Sequence, residues 1–157
     1  MKANQVRETY LVTGQVHSGK TTSVMSYFRT EKNISGLYAP VIDGKRFIYS
    51  IHNKTLIPLE ADSGTKEADI IRTKNYNFSA HSFDQARMNL LCALATDTEW
   101  LVIDEVGILE LRDSGYEPAL TKIIKDLQPN RKLVMVVREA VLEEVKNKYS
   151  LSFLSLP

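Results

Sequence analysis

The stretch Gly14-Gln15-Val16-His17-Ser18-Gly19-Lys20-Thr21-Thr22 follows directly on the apolar run Tyr10, Leu11, Val12. Gly14, Gly19, Lys20 and Thr21 satisfy G-x-x-x-x-G-K-[ST], a spacing that cradles phosphates when a strand precedes it and a helix follows. Each residue type has a physical reason. Glycines let the chain turn through conformations closed to other residues and bring main-chain N–H groups close to phosphate oxygens. The helix opening near Gly19 would aim its unpaired N–H groups and positive dipole end at the same anion. Lys20 would bridge the β- and γ-phosphates, and the Thr21 hydroxyl would ligate Mg²⁺. Ser18 and Thr22 read as supporting donors. Gln15, Val16 and His17 complete the nucleotide-binding loop, with the His17 ring facing outward.

Working outward, Glu8 to Thr13 reads as the strand and Gly19 to about Thr30 as the helix, burying Val24, Met25 and Phe28. Short runs rich in β-branched residues then alternate with segments whose apolar residues recur at three and four, the pattern of an α/β chain. Ser82 and Gln85 form a capping box for a second helix beginning near Ser82, with Phe83, Ala86, Leu90, Leu91 and Leu94 on one face. EWLVID, Glu99 to Asp104, lacks polar alternation and reads as a strand covered on both faces. A helix from about Glu117 to Leu127, a strand from Lys132 to Arg138 and a helix from about Ala140 to Lys148, burying Val141, Leu142 and Val145, complete the pattern. The tail LSFLSL adds a final strand.

The middle differs. LYAPVIDGKRFIYSI sets Asp43-Gly44 between apolar stretches, the signal of a tight antiparallel hairpin. KTLIPLEA continues the meander, with Pro58 at an edge or strand end. Ala61 to Asp69 reads as a mobile loop. The expectation is one domain, residues 1–157: a mostly parallel central sheet with helices on both faces and a β-rich antiparallel insertion at about 35–60.

A phosphate-binding loop needs an acidic partner, and LVIDEVG supplies it. Asp104 ends a buried strand at the carboxyl edge, where ligands of open α/β sheets bind, and would hold Mg²⁺ directly or through water. Glu105, pointing to the other side of the extended backbone, could polarise an attacking water. Arg138, ending the next strand, is the first choice for a cation facing the transition-state charge, and Arg112 the second.

Composition sets bounds. In 157 residues, 43% are hydrophobic and 25% charged, the usage of an ordinary globular domain, with a net charge of +1. There is no basic stripe or stacked aromatic motif, so nucleic acid is a minor hypothesis. Cys92, the single cysteine, excludes an internal disulfide and reads as a small core residue among Leu90, Leu91 and Leu94. No apolar signal core opens the chain and no run is long enough to span a membrane, which makes the cytoplasm the expected location.

These residues resemble the small P-loop nucleoside-triphosphatases first recognised in thermophiles and also present in animals. DEVGILEL, Asp104 to Leu111, is similar to the family's Asp-Glu-Ile-Gly-x-Met-Glu-Leu signature, with Val106 and Leu109 as departures. GLYAPVIDGKRFIYSI, NFSAHSFDQA and VVREAVLEEV resemble its hairpin, its lead into the next helix and its late strand and helix. The resemblance runs from about Glu8 to Tyr149. It implies the three-layer P-loop NTPase fold and Mg²⁺-dependent hydrolysis of ATP, GTP and other nucleoside triphosphates with loose base preference, and it assigns Glu110 to the active-site neighbourhood. QVHS stands where the family's loop usually carries proline or glycine, so base preference and rate can differ. Two other readings stay open: phosphoryl transfer to a small acceptor, as in a nucleotide or metabolite kinase, and a nucleotide-dependent adaptor of the molybdopterin-guanine dinucleotide biosynthesis type. A dedicated GTPase switch is disfavoured because NKTL at Asn53 lacks the aspartate of Asn-Lys-x-Asp.

Overall fold

The computed structural model describes residues 8–15 and 18–157. In chain order the elements are β1 (Thr9–Gly14), α1 (Lys20–Tyr27), β2 (Ile34–Tyr38), β3 (Val41–Ile42), β4 (Lys45–Ser50), β5 (Thr55–Pro58), β6 (Ile70–Arg72), β7 (Asn77–Ser79) and α2 (Ala80–Ala95). There follow β8 (Trp100–Val106), α3 (Ile108–Leu111), α4 (Ala119–Asp126), β9 (Lys132–Arg138), α5 (Leu142–Tyr149) and β10 (Leu154–Ser155). The main sheet runs β10-β1-β9-β8-β2-β4-β3, with β5 also paired to β4. The stretch from β10 to β2 is parallel, and β4, β3 and β5 add an antiparallel extension beyond β2.

Two faces of burial explain the central strands. Leu101 and Ile103 of β8 and Leu133, Met135 and Val137 of β9 pack into the core under α2, α4 and α5. Trp100, Val102, Val134 and Val136 point the other way, onto Val24 and Phe28 of the α1 region. A strand buried on both sides has no position for a polar residue, hence the unbroken apolar runs. The architecture is therefore α/β in three layers, with α1 on one face of the sheet and the other long helices on the opposite face.

Close approach of β2 to β8 depends on a glycine. Gly36 has φ +112°, and a Cβ there would lie 2.0 Å from the carbonyl oxygen of Val102. Around the chain just before β8, buried Arg131 gathers loose ends: Nε donates to Thr98 O at 2.6 Å, Nη1 to Leu94 O at 2.9 Å and Nη2 to Ala93 O at 3.1 Å. The latter two are carbonyls at the C-terminus of α2, where a cation complements the helix dipole.

Several local expectations change. The second helix begins at Ala80, capped by Ser79, whose hydroxyl accepts Ser82 N–H at 3.3 Å. Ser82 instead donates its hydroxyl to Pro58 O at 2.6 Å, so a tertiary contact takes the cap expected from the Ser82–Gln85 spacing. The buried face of α2 is Phe83, Ala86, Leu90 and Ala93. At 100° per residue Leu91 and Cys92 rotate off that face, and both are exposed, so Cys92 is not a core residue. Met25 is exposed for the same reason, while Phe28, just past the end of α1, packs edge-on against Trp100 at 5.1 Å. The helix expected from Glu117 starts at Ala119, and the one expected from Ala140 becomes a 3₁₀ turn, Glu139–Val141, followed by α5 with Val145 buried. The Asp43-Gly44 hairpin, Pro58 at the end of β5 and the short strand in the tail are as read from the sequence. Glu67–Asp69, within the stretch read as a loop, forms a 3₁₀ turn. Among the described residues no helix is long and apolar enough to cross a membrane.

Candidate functional site

β1 ends at Gly14, and α1 begins at Lys20. A Cβ on Gly14 would sit 2.6 Å from Ser18 Oγ, so a side chain there would displace the Ser18 hydroxyl. Gly19, the residue before α1, has φ +77° and caps the helix without a side-chain hydrogen bond. The first N–H groups of α1 therefore lack an internal acceptor. The loop tightens on itself through Ser18 N–H donating to Gln15 O at 3.1 Å. Lys20, nearly buried, folds its Nζ back to donate to the same carbonyl at 2.7 Å. Val16 and His17 lie outside the described residues.

Above the loop is a cavity of about 180 Å³ lined by Ser18 to Thr22, Met25, Ala39 to Val41, Arg46, Glu105 and Arg138. Beneath it, Thr21 Oγ1 donates to Asp104 Oδ2 at 2.7 Å and the Ala39 N–H donates to the same oxygen at 2.9 Å. Loop and acidic strand end, 83 residues apart in sequence, thus meet at one edge of the sheet. Asp104 is fully buried, and burial raises its pKa to about 6, Glu105 adding to the rise while the Ala39 and Thr21 hydrogen bonds oppose it. Its second oxygen, Oδ1, is buried without a hydrogen-bond partner. A buried carboxylate oxygen left without a donor costs free energy unless a cation or water answers it. A hydroxyl and one carboxylate, both hard oxygen donors, suit Mg²⁺, which binds through few protein ligands and keeps several waters.

Glu105 departs from the extended geometry expected of it. Its φ is +62°, and the β8–β9 register shifts between Ile103 and Val106. This left-handed backbone, costly for a residue other than glycine, turns Glu105 onto the cavity wall. There its Oε2 accepts Arg46 Nη1–H at 2.7 Å. Arg46 is buried, its guanidinium lies 4.5 Å from the Tyr76 ring centroid, and Nη2 donates to the Tyr76 hydroxyl at 3.4 Å. Burial alone would lower the Arg46 pKa; Glu105 and Tyr76 outweigh it and the net shift is upward.

Sequence reasoning missed Arg46. The signal was present: in β4 the alternation Arg46, Ile48, Ser50 is the buried face, and an arginine at an inward position requires a partner. Arg138 lies opposite Gly14 in the β1–β9 pairing and lines the cavity. Arg112 is exposed, just past the end of α3, and lines neither this cavity nor the one beyond it.

Glu110 is buried one turn beyond. Its Oε2 accepts Gly107 N–H at 2.8 Å and its Oε1 accepts Tyr116 N–H at 3.0 Å, while the Tyr116 hydroxyl donates to Asp104 O at 2.9 Å. Burial lifts the Glu110 pKa to about 7 against the opposing pull of those two amides. Gly115, at φ +66°, makes room: a Cβ there would come within 2.3 Å of Glu110 Oε1. Glu110 thus braces the backbone that carries Asp104 and Glu105.

A glycine loop joining a strand to an uncapped helix, with its hydroxyl on a carboxylate from a neighbouring strand, defines a nucleotide-binding α/β protein of the P-loop class. Residues 9–156 match the model of a protein family described as NTPase. The chain belongs to that family and is an enzyme of the nucleoside-triphosphate-hydrolysing class. It is 24% identical over 144 residues to the nucleoside-triphosphatase THEP1 of Thermotoga sp. (strain RQ2), covering 88% of this chain and 80% of that protein. Its fold is similar to the crystal structure of THEP1 from the hyperthermophile Aquifex aeolicus, with a TM-score of 0.67 and 18% identity over 90% of this chain and 83% of that one.

Proposed function

We propose that the chain, as one P-loop domain spanning residues 1–157, hydrolyses ATP, GTP and other nucleoside 5′-triphosphates to the diphosphate and phosphate, with Mg²⁺ as cofactor. The observation that carries this reading is the Thr21–Asp104 hydrogen bond of 2.7 Å directly beside Lys20, with Glu105 on the same cavity wall. The curated relative's name, a nucleoside-triphosphatase, supports it.

In this reading the loop from Gly14 through Gln15, Val16, His17 and Ser18 to Gly19, with the first turn of α1, holds the phosphates. Lys20 exchanges its bond to Gln15 O for phosphate oxygens, and Thr22 supports the same anion. Thr21 and Asp104 hold Mg²⁺, which supplies charge neutralisation on the β- and γ-phosphate oxygens when bound. Glu105 orients the attacking water and accepts its proton. Arg138, at the junction of β1 and β9, faces the charge that builds on the γ-phosphoryl group. Arg46 is a positioning residue that holds the Glu105 carboxylate. The cytoplasm, where nucleoside triphosphates are held, is the proposed location.

A steady-state phosphate-release assay across the four common ribonucleoside triphosphates, with Mg²⁺ or with EDTA, tests the reading. Release from more than one triphosphate, abolished by EDTA, is expected. Release indifferent to EDTA removes the metal role, and no release from any of them removes the reading.

A further inference from the structure

A second cavity, of about 240 Å³, opens on the other side of Glu105. None of the phosphate-loop residues Ser18 to Thr22 lines it, yet it shares Ala39, Arg46, Glu105 and Arg138 with the first. The two spaces therefore meet at the side chains where a γ-phosphoryl group would be attacked. Water needs no such room. The cavity is smaller than the roughly 300–1,000 Å³ typical of drug-sized ligands, so its occupant is small.

Its walls are aromatic. Tyr76 stacks on Phe78 at 5.5 Å, Phe78 meets Phe83 edge-on at 5.9 Å, and Phe83 meets Tyr116 at 5.9 Å. The rings pack on one another and the Arg46 guanidinium lies over Tyr76, so what they leave toward the cavity suits edge-on contact with a planar ring. Ile108, at the rim, is left 41% exposed although it is large and apolar. The turn that roofs the cavity, closed by Thr73 N–H donating to Tyr76 O at 2.8 Å, turns exposed Lys74 and Asn75 toward the opening. Of the polar side chains that line it, Arg46, Glu105 and Arg138 are those shared with the phosphate cavity, while the Glu110 carboxyl is tied to the Gly107 and Tyr116 amides. A ring held among the aromatics would bring a short polar substituent to Glu105.

We propose that this second cavity is an acceptor site for a small aromatic alcohol, and that the chain transfers the γ-phosphoryl group to its hydroxyl, hydrolysis being what happens when the cavity holds only water. The proposal rests on the triphosphate site described above. The hydroxyl oxygen forms a bond to the γ-phosphorus as the bond from that phosphorus to the β–γ bridging oxygen breaks. The bridging oxygen leaves with its electron pair on the nucleoside diphosphate, and the hydroxyl proton passes to the Glu105 carboxylate.

The test incubates the protein with Mg²⁺ and γ-labelled ATP in the presence of benzyl alcohol, 2-phenylethanol, 4-hydroxybenzyl alcohol or 3-pyridinemethanol, and separates inorganic phosphate from phosphate ester. Label in the ester of at least one probe is expected. Filling the cavity at its exposed rim with Ile108→Trp, or separately with Asn75→Trp, should cut the ratio of ester to inorganic phosphate by about tenfold or more, the scale on which pocket contacts discriminate substrates. Label confined to inorganic phosphate with every probe overturns the proposal, as does a ratio that neither folded variant changes. Failure of the triphosphate reading looks different: the wild-type chain would then release neither ester nor phosphate.

Discussion

Arg46 and Glu105 are 59 residues apart in the chain and joined by a 2.7 Å hydrogen-bonded ion pair. One partner comes from the antiparallel insertion and the other from the end of the central parallel strand, so the insertion reaches into the candidate active site. Arg46→Ala would remove the group that holds the Glu105 carboxylate. With Glu105 a quarter exposed, water can replace part of what is lost, and the stability cost should stay below the roughly 3–5 kcal/mol of breaking a fully buried pair. Turnover should fall about tenfold or more with KM for the triphosphate little changed, the signature of lost positioning. Arg46→Lys should recover part of the rate. Steady-state kinetics on the two variants decide; a change confined to KM would make Arg46 a substrate-binding group instead.

Glu105→Gln separates binding from chemistry. The amide oxygen can still accept the Arg46 N–H and the left-handed backbone is unchanged, so the wall of the cavity should persist. Only the proton acceptor is lost. Nucleotide binding with Mg²⁺ should remain within about twofold while phosphate release drops by ~10² or more. Calorimetric titration beside the release assay checks this, and equal turnover in the variant would end the general-base assignment.

What was legible in the sequence is what local chemistry dictates. β8 and β9 announce themselves because burial on both faces forbids polar residues over Leu101 to Ile103 and Leu133 to Val137. The glycine loop, the Asp43-Gly44 turn and Asp104 directly after the apolar run of β8 are short-range signals too, although β8 runs on to Val106 where the sequence pattern ends the strand at Asp104. What escaped depends on distant partners. Ser82 gave up its cap to bond Pro58 O, Cys92 turned outward with the helix phase, and Glu105 lies at a register break that no residue type marks. Arg46 is one arginine among many until the hairpin folds it against Glu105. Arg112 stayed eligible as a second choice behind Arg138 because proximity in sequence to the acidic motif says nothing about which side of α3 faces the cavity.

Lys20→Ala tests the phosphate role. Lys20 Nζ already rests on the loop carbonyl of Gln15, so the charge is stationed at the cavity before nucleotide arrives. Its removal should weaken triphosphate affinity by ~10² or more, as expected for a charge-assisted contact made in a partly desolvated site. Fluorescent-nucleotide titration measures this directly; unchanged affinity would remove lysine from the phosphate site.

Asp104 gives a metal dependence that varies with pH. Burial raises its pKa to about 6, so in the nucleotide-free protein a proton competes for the carboxylate as pH falls through that value. The Mg²⁺ concentration giving half-maximal phosphate release should therefore rise as pH drops below about 6 and flatten above about 7. Asp104→Asn should bind Mg²⁺ poorly at every pH. A half-maximal Mg²⁺ concentration that is constant across the range would dissociate this carboxylate from the metal.

Glu110 makes a prediction about stability instead of rate. Its folded pKa of about 7 lies above its ordinary value of 4.5, burial being the leading cause. Between those two values the folded chain binds more protons than the unfolded chain, so stability falls as pH rises. The contribution is fully present below about 4.5 and lost as pH climbs through about 7. A shift of that size corresponds to at most about 3 kcal/mol, and for a domain of this length each kcal/mol moves Tm by roughly 2–4 °C. Glu110→Gln cannot titrate and loses one of the two amide hydrogen bonds from Gly107 and Tyr116, a cost that does not vary with pH. Thermal melts from about pH 8 down to about pH 5.5 should show the wild-type Tm gaining several degrees on the variant toward acid. Parallel curves would mean that Glu110 carries its charge in the folded chain throughout, with its two amide donors outweighing its burial.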